Sequence, residues 1–417
     1  MGRTDVRALL RVSPLALAVG VGCALMLIAA SELAELLEHL VWTSLPDRLS
    51  IDGDGPWWIL AVLTATGLAV GLVVWKLPGG AGPDPATMSL VGAPLPPSVV
   101  PGLLITLVLG LAGGVSLGPE NPIVETNVAL AVFLGMRALP GPGAASWVGM
   151  AVAGTIGAMF GTPVAAALTL TEAAMGEPGK PLWDRLFAPL LAAGSGALTL
   201  QLLEGPDFTV DLAPYPGLHA LDLISAPLVS LAAAALGLLA CLAFRPAHRL
   251  FHTLRHPVLI ITAGGVVLGL LGMLGGKITL FKGLSEMREL ASDAGAYTVG
   301  GLALIIVVKL AALVVAGTSG FRGGRIFPVV FTGVALGLLV TAVFPRVPAA
   351  LAVGCAILGL TMAVSRLGWL SIFMAATVVG DVGLLPLLCL AVLPAWLVLA
   401  NVPQMEITEP ARSSPAA

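Results

Sequence analysis

Long apolar stretches separated by short polar links run along almost the whole chain. The stretches lie at 13–43, 57–75, 98–112, 121–137, 146–175, 183–203, 221–244, 256–275, 298–317, 326–344, 348–364 and 369–401. A membrane β-barrel would show alternating segments of about ten residues, whereas these stretches are long and do not alternate. The pattern therefore predicts an all-α protein that crosses a membrane several times. Several stretches are interrupted by Gly and Pro, and broken helices are tolerated at membrane depth only inside protein or along a cavity.

The composition excludes several classes of function. Of 417 residues, 58% are hydrophobic and only 10% are charged, whereas a soluble domain carries about 25% charged residues. A water-soluble enzyme is therefore excluded, and an intramembrane enzyme is disfavoured because the stretches offer almost no polar groups that could converge. The net charge of −3 predicts no nucleic-acid partner. We expect no cofactor and no metal, and we interpret His248, His252 and His256 as a solvated face of a basic loop.

The polar links predict how the chain is threaded through the membrane. Segment 245–256 is basic, segment 204–220 is acidic, and three arginines precede the first apolar stretch. By the positive-inside rule, the N-terminus and segment 245–256 face the cytoplasm. Segment 204–220 is then extracellular, because a single crossing separates it from the basic loop.

An internal repeat divides the chain into two halves. Residues 114–130 and 320–336 share the pattern G-x3-G-x3-P-x-V-x-T-x-V-A-L at an offset of 206, and 148–154 matches 353–359 at an offset of 205. If the linker between the halves is outside, the second half is inverted, and inverted repeats with broken helices are typical of transporters. The predicted organisation is a first membrane half at 1–203, an extracellular linker at 204–220, a second membrane half at 221–401 and a short polar tail at 402–417.

Each repeat offers the same device for holding an anion. A Gly-rich loop leads into a helix with Pro122 or Pro328 in its first turn, where a missing N–H costs nothing. The free backbone N–H groups and the dipole of such a helix end attract anions. Two ends that meet at mid-membrane would hold an anion without the full charge of a lysine, which would bind too tightly for rapid passage. We predict one shared site that contains Gly118, Glu120, Ile326 and Phe327.

Glu120, within LGPENP, is the main candidate for a gate. An ionisable residue at membrane depth is a functional candidate by default, and no basic residue lies near it in sequence. Its carboxylate would occupy the place of the anion among the N–H groups and would swing away when protonated. Glu120 would then act as a gate, as a proton carrier or as both.

Other charged residues of the apolar stretches have weaker claims. Glu172 fits the cytoplasmic surface or an interface, and Lys309 and Asp381 fit a structural pair. Arg322 and Arg325 flank the second Gly-rich loop. There they would raise the local anion concentration or extend towards an interface.

Three motifs resemble the CLC family of voltage-gated chloride channels and proton-coupled chloride antiporters, and the likeness covers 13–401. GPENP (118–122) resembles the family's G-[KR]-E-G-P, with Glu120 in the position of the gating glutamate. GGRIFP (323–328) resembles G-x-F-x-P, and GAGPDP (80–85) resembles the loop G-S-G-I-P less closely. By this resemblance, the anion-binding residues are Gly80, Ala81, Gly82, Gly118, Pro119, Asn121, Gly324, Arg325, Ile326 and Phe327.

The resemblance also implies the fold, the partners and the location. The fold would be a CLC-like inverted repeat of two halves with broken, half-membrane helices. Two such chains would form a homodimer in the bacterial inner membrane, with 163–175, 183–203 and their counterparts at the interface. The transported partners would be chloride or similar inorganic anions, with protons in a coupled transporter.

Three departures from the family pattern bear on the mechanism. Ala81 stands where the family has a pore serine, Ala173 stands where coupled members often carry a glutamate, and no tyrosine follows Tyr297. The resemblance with these departures favours pH-gated passive conduction over tight exchange. A fluoride or other-anion/proton antiporter of the same architecture, and a scaffold that no longer transports, stay open as alternatives.

Overall fold

The computed structural model describes residues 6–90, 92–139, 141, 143–173, 181–204 and 208–407, and within them the structure is all-α apart from one isolated β-bridge. Up to residue 204 the helices are α1 (Val6–His39), α2 (Leu45–Leu49), α3 (Pro56–Lys76), α4 (Val100–Ala112), α5 (Glu120–Ala138), α6 (Ala144–Phe160), α7 (Pro163–Glu172) and α8 (Leu182–Leu203). After residue 208 they are α9 (Asp222–His252), α10 (Pro257–Gly275), α11 (Leu284–Ser292), α12 (Val299–Thr318), α13 (Ile326–Val343), α14 (Ala349–Ser365), α15 (Gly368–Val379) and α16 (Leu385–Leu399).

The helices are of two lengths, as the broken apolar stretches predicted. Eight helical segments in the described residues are long and apolar enough to cross a membrane. In contrast, α7 has 10 residues and α15 has 12. At about 1.5 Å per residue, these two helices reach only about half of a hydrocarbon core of about 30 Å. Large side chains such as Leu202 and Leu239 stay exposed on the long helices, which suits contact with lipid.

The helices recur in the same order at a nearly constant offset. The helix α13 begins 206 residues after α5, and α14 and α15 begin 205 residues after α6 and α7. The turns before α5 and α13 match as well, because Gly114 and Gly320 have φ angles of +82° and +86°. Side chains rarely adopt this left-handed backbone, so both repeats need glycine at the same place.

The two sets of helices run in opposite directions. The end of α7 meets the beginning of its counterpart α15, where Glu172 Oε1 accepts from the backbone N–H groups of Gly368 and Trp369 at 2.9 and 3.3 Å. The matched residues Gly118 and Gly324 exchange two backbone hydrogen bonds of 2.9 and 2.7 Å as an antiparallel bridge. A local twofold axis therefore passes between these glycines. The predicted inverted repeat with broken helices is confirmed.

The helix α13, which follows the second Gly-rich loop, packs closely against the backbone of α14. A β-carbon added at Gly333 or Gly337 of α13 would collide with the backbone of Ile357 or Val353 of α14. Small residues permit this approach, as they do in many membrane helix pairs. The middle of α13 is therefore packed closely against α14.

Candidate functional site between two helix starts

The starts of α5 and α13 meet at the centre of the protein. The loops that precede them are joined by the two hydrogen bonds between Gly118 and Gly324. Pro122 and Pro328 lie in the first turns and are buried. Because both helices begin here, their free N–H groups and the positive ends of their dipoles face one small volume.

Glu120 fills that volume. Its side chain is completely buried, and Oε1 accepts a hydrogen bond of 2.7 Å from the backbone N–H of Phe327 in the first turn of α13. Oε2 has no hydrogen-bond partner among the described residues. A β-carbon at Gly118 or Gly324 would collide with this carboxylate. The two glycines therefore make room for an acidic group that bonds across the repeats.

One cavity of about 360 Å³, here called the Arg366 cavity, lies on one side of Glu120. Two arginines, two carboxylates and the residues next to Glu120 and Phe327 contribute to its lining. Its walls include Ser89, Asn121, Glu172, Arg325, Ile326, Arg366 and Glu406. Arg366 is one of the lining residues, and its Nε and Nη1 groups are buried without a hydrogen-bond partner among the described residues.

A second cavity of about 220 Å³, here called the Phe327 cavity, lies on the other side. It is lined by Glu35, Pro119, Glu204, Phe208, Lys282, Phe327 and Thr377, among others. Leu367 at the start of α15 borders the Arg366 cavity, whereas Thr377 near the end of α15 borders the Phe327 cavity. The cavities therefore open at opposite ends of α15, and the buried side chain of Glu120 lies between them.

The acidic and the basic link of the sequence lie near different cavities. Phe208 and Thr209, which follow α8, line the Phe327 cavity. The 31-residue helix α9 then carries the chain to His248, which contacts Asp84 in the loop that Arg325 binds beside the Arg366 cavity. Segments 208–220 and 245–256 thus lie at opposite ends of α9, and their placement on opposite sides of the membrane stays a prediction. Which of the two sides is cytoplasmic is also a prediction.

Three phenylalanines enclose the end of the Glu120 site on the side of the Phe327 cavity. The ring centroids of Phe160, Phe208 and Phe327 are 5.4 to 5.6 Å apart, and two of the three pairs meet edge to face. All three rings are buried. They hold the backbone of Phe327, and hence the donor to Glu120, in a dry environment where a hydrogen bond to a charged group is strong.

The loop at 79–82 contacts Arg322, which precedes α13 in the second Gly-rich loop. Gly79, Gly80, Ala81 and Gly82 all have positive φ angles, of 74°, 60°, 53° and 87°, and Ala81 adopts this conformation without being glycine. Arg322 stabilises the strained turn, since its guanidinium donates to the carbonyl groups of Gly80, Ala81 and Gly82 at 2.8 to 2.9 Å. Arg322 therefore has a structural role, and its predicted effect on the local anion concentration stays a prediction.

Arg325 has a mixed role. It donates to the carbonyl groups of Pro85 and Met88 at 2.9 and 2.8 Å, so it anchors the same loop further along. It also lines the Arg366 cavity beside Asn121 and Ile326. Of the residues predicted to bind anions, Gly118, Pro119, Asn121, Gly324, Arg325, Ile326 and Phe327 lie around Glu120 or its cavities, whereas Gly80, Ala81 and Gly82 face Arg322.

The predicted pair between Lys309 and Asp381 is wrong. Lys309 is completely buried, and its ammonium group donates to the carbonyl groups of Thr279, Leu280 and Phe281 at 3.1, 2.6 and 2.9 Å. Asp381 instead accepts from the N–H of Gly383 at 2.8 Å. Pairing was expected because a buried charge needs compensation, but backbone carbonyl groups provide it here.

Arg366, which lines the cavity named after it, was missed by the sequence analysis. It follows α14 with a φ angle of +58°, at the position that matches Gly161 in the first repeat. An arginine in a place where the other repeat has a glycine is the signal that could have identified it. Its Nη2 group donates to the carbonyl groups of Val402 and Pro403 at 3.3 and 3.2 Å, which brings the tail to the cavity.

Helix starts that meet between two cavities in an inverted repeat define a membrane ion-transport protein. The family described as Voltage gated chloride channel matches residues 66–400 of this chain. Among individual relatives, the "Putative ion-transport protein YfeO" of Escherichia coli (strain K12 / DH10B) is 51% identical over 409 residues, which are 98% of each chain.

Solved structures show the same fold at low sequence identity. A CLC-type fluoride/proton antiporter superposes with a TM-score of 0.78 at 19% identity, covering 96% of this chain and 98% of that one. A slow cyanobacterial Cl⁻/H⁺ antiporter superposes with a TM-score of 0.77 at 17% identity, covering 97% of each. This chain belongs to the CLC family, whose members are channels and transporters rather than enzymes.

Proposed function

We propose that this chain conducts chloride or a similar inorganic anion between the Arg366 cavity and the Phe327 cavity, and that Glu120 is the gate. The observation that carries the proposal is the buried Glu120 carboxylate, which bonds to the N–H of Phe327 between the two cavities. A carboxylate carries the same charge as a halide and uses the same donors. It therefore occupies a place that would otherwise suit an anion.

Protonation of Glu120 is the opening step. The ionised carboxylate is attracted by the N–H of Phe327 and by the dipoles of α5 and α13. A neutral carboxyl group loses most of this attraction and can leave the position, which an anion then occupies. Anion flux should therefore rise as the pH falls. The positive charges of Arg325 and Arg366, which line one cavity, would attract anions on that side.

Passive conduction is favoured over proton-coupled exchange by the lining of the Arg366 cavity. Ala173 borders this cavity and has no proton to transfer, while the neighbouring Glu172 is bonded to the start of α15. Coupled antiport, including fluoride/proton antiport, is the second candidate. It is supported by Glu406, a carboxylate that borders the same cavity and could take over proton transfer.

The assembly and orientation are part of the proposal. We infer a homodimer in the bacterial inner membrane, with the N-terminus in the cytoplasm. Its support is the resemblance to the CLC family, and the exposed leucines of α8 and α16, such as Leu198 and Leu393, suit either a second chain or lipid. Cross-linking in the native membrane that yields only monomer would contradict the dimer. Labelling of single cysteines placed in 208–220 and 245–256 tests the orientation.

Anion flux from proteoliposomes tests the gate. The wild type and Glu120→Gln should be compared at several pH values, with a panel that includes chloride and fluoride, both with and without a pH gradient. We expect the wild-type flux to rise on acidification, and the Glu120→Gln flux to be high and independent of pH, because an amide cannot be ionised.

The matched control is Glu125→Gln, which alters a second carboxylate on the same helix that does not bond to Phe327. It should retain the pH dependence. Unchanged pH dependence in Glu120→Gln would show that Glu120 is not the gate. Anion movement against its gradient, driven by a proton gradient, would replace the passive mechanism with exchange.

A further inference from the structure

Asp84, His248 and His252 form a cluster outside the Glu120 site, here called the Asp84 cluster. Asp84 Oδ2 lies 2.8 Å from His248 Nε2 and 3.3 Å from His252 Nε2. The two histidines were predicted to form a solvated face, yet both are partly buried against a residue more than 160 positions away in sequence. The cluster joins the loop between α3 and α4 to the end of α9.

Local structure positions all three groups. The histidines are four residues apart on α9, so they lie on one face of the helix. Their rings stack with centroids 3.7 Å apart. Asp84 precedes a short turn at Pro85–Thr87, where Oδ1 accepts from the N–H of Ala86 at 3.0 Å. This bond leaves Oδ2 directed at the two imidazoles.

The hydrogen bonds of His252 require a cation at this cluster. Its Nδ1 lies 2.9 Å from the carbonyl oxygen of His248, and because a carbonyl group only accepts, Nδ1 must carry the hydrogen. In the neutral ring, Nε2 is then an acceptor that faces the Asp84 carboxylate, another acceptor, at 3.3 Å. Such a contact is unfavourable unless a proton or a metal ion lies between the two atoms.

The spacing of the atoms is near that of ligands around one metal ion, except that Asp84 Oδ2 and His248 Nε2 stand at a hydrogen-bond distance of 2.8 Å and have to move apart when the ion binds. Zinc binds imidazole nitrogen at about 2.0–2.1 Å and carboxylate oxygen at about 2.0–2.2 Å, with tetrahedral geometry, which puts its ligand atoms about 3.3–3.5 Å apart. The three ligand atoms here lie within 4.8 Å of one another. Without an ion, His248 can donate its Nε2 hydrogen to Asp84 as a neutral ring, so one proton on His252 completes the cluster. A metal ion would replace both of these hydrogens and bind the same three atoms.

The surroundings also suit a metal site. The bond from His252 Nδ1 to a backbone carbonyl group fixes the tautomer, and the bond from Ala86 fixes the carboxylate, as outer groups do around many metal ions. The side chains of His248, His252 and Asp84 are 16%, 35% and 27% exposed. Solvent can therefore deliver the ion and occupy its remaining coordination position.

We propose that Asp84, His248 and His252 bind a divalent transition-metal ion of the zinc type. The ion ties the loop of Asp84 to α9. Arg322 and Arg325 hold the same loop from its other side through Ala81, Pro85 and Met88. The site therefore adds a reversible link to the loop that borders the Arg366 cavity. Metal binding does not depend on whether Glu120 is the gate.

The test uses the full chain, purified without a polyhistidine tag and treated with a chelator. Zn²⁺ binding is measured by titration calorimetry, and Co²⁺ binding by its visible absorption, which distinguishes tetrahedral from octahedral coordination. We expect one high-affinity ion per chain and a higher Tm when Zn²⁺ is present, because an ion that binds only the folded state stabilises it. Asp84→Asn, His248→Gln and His252→Gln should each weaken binding at least tenfold and abolish the shift in Tm.

His256→Gln is the matched control, because this residue continues the spacing of His248 and His252 but lies outside the cluster. It should bind Zn²⁺ like the wild type. Size-exclusion profiles establish that each variant is folded, and the three separate ligand changes guard against the failure of one. No high-affinity Zn²⁺ or Co²⁺ binding to the wild type would overturn the proposal. So would affinity that is unchanged in folded Asp84→Asn and His252→Gln.

Discussion

The starts of α5 and α13 share one backbone arrangement and differ in their side chains. Both follow a glycine with a positive φ angle, and both are joined through Gly118 and Gly324. The first begins with Glu120, whereas the second begins with Ile326 at the matching position. In our proposal, the symmetric backbone creates a place for an anion, and the single acidic residue occupies it. Duplication thus provides the site, and divergence of one copy provides the candidate gate.

A second difference between the repeats lies in the preceding helices. Lys309 of α12 matches Leu103 of α4 at the same offset of 206, and both side chains are buried. The ammonium group of Lys309 binds three carbonyl groups of the turn before α11 and lies 4.7 Å from the ring of Phe331. One repeat therefore uses a buried cation where the other uses apolar packing alone.

The largest expected effect on stability is that of Lys309→Met. The substitution leaves three buried carbonyl groups without their donor, and each unsatisfied group costs about 1–3 kcal/mol. We expect a loss of about 3 kcal/mol or more, seen as a large fall in Tm in detergent. The matched change Leu103→Met should cost less than about 1.5 kcal/mol, because it conserves volume and chemistry. Equal losses of stability in Lys309→Met and Leu103→Met would mean that the buried cation has no special role in the second repeat.

The second-largest loss of stability is expected from alanine at the paired glycines, and it should differ between the two repeats. Gly118→Ala and Gly324→Ala should each cost about 1–3 kcal/mol by overpacking, because the new β-carbon meets the Glu120 side chain. In a Glu120→Ala background the cost at Gly118 should fall, since the three atoms nearest to the new β-carbon all belong to the removed carboxyl group. The cost at Gly324 should persist, because the β-carbon of residue 120 would lie 2.7 Å away.

This double-mutant cycle is measured as Tm values of the single and double variants. Rescue of Gly324→Ala to the same extent as Gly118→Ala would contradict the arrangement. Additive costs in both cycles would mean that neither glycine contacts Glu120.

The smallest expected effect is that of Ile326→Val, at the position that matches Glu120. This side chain is buried, so the loss of one methylene group should lower stability by about 0.5–1.5 kcal/mol. The pH dependence of anion flux should not change, because we expect the start of α13 to contribute its backbone N–H groups. A shifted pH profile in Ile326→Val would show that the second helix start takes part in gating through its side chain.

Much of the fold could be predicted from particular residues. The matched residues from Gly114 to Leu130 and from Gly320 to Leu336 indicated the duplication, because both copies keep glycine where the turn needs a positive φ angle. The Gly and Pro residues that interrupt several apolar stretches indicated broken helices, and the half-length helices α7 and α15 lie in the stretches predicted at 146–175 and 369–401. The acidic residue within LGPENP marked the centre of the fold, since an isolated carboxylate in an apolar chain needs donors.

Contacts to backbone groups could not be predicted. Arg322 binds three carbonyl groups of the loop at 80–82, and Lys309 binds three of the turn at 279–281. Any residue type can present a carbonyl group, so these partners leave no mark in the sequence. The expectation of a Lys309–Asp381 pair failed for this reason, because it looked only for side chains of opposite charge.

By itself, the sequence determined the membrane class, the inverted duplication and the position of Glu120, because hydropathy and repeated motifs are properties of neighbouring residues. Only the tertiary structure decided that Glu120 bonds to Phe327, that two cavities flank it and that Asp84 meets His248 and His252. These groups are separated by more than 160 residues along the chain. Their meeting depends on how helices pack, and that is set by the sum of many weak contacts rather than by any local pattern.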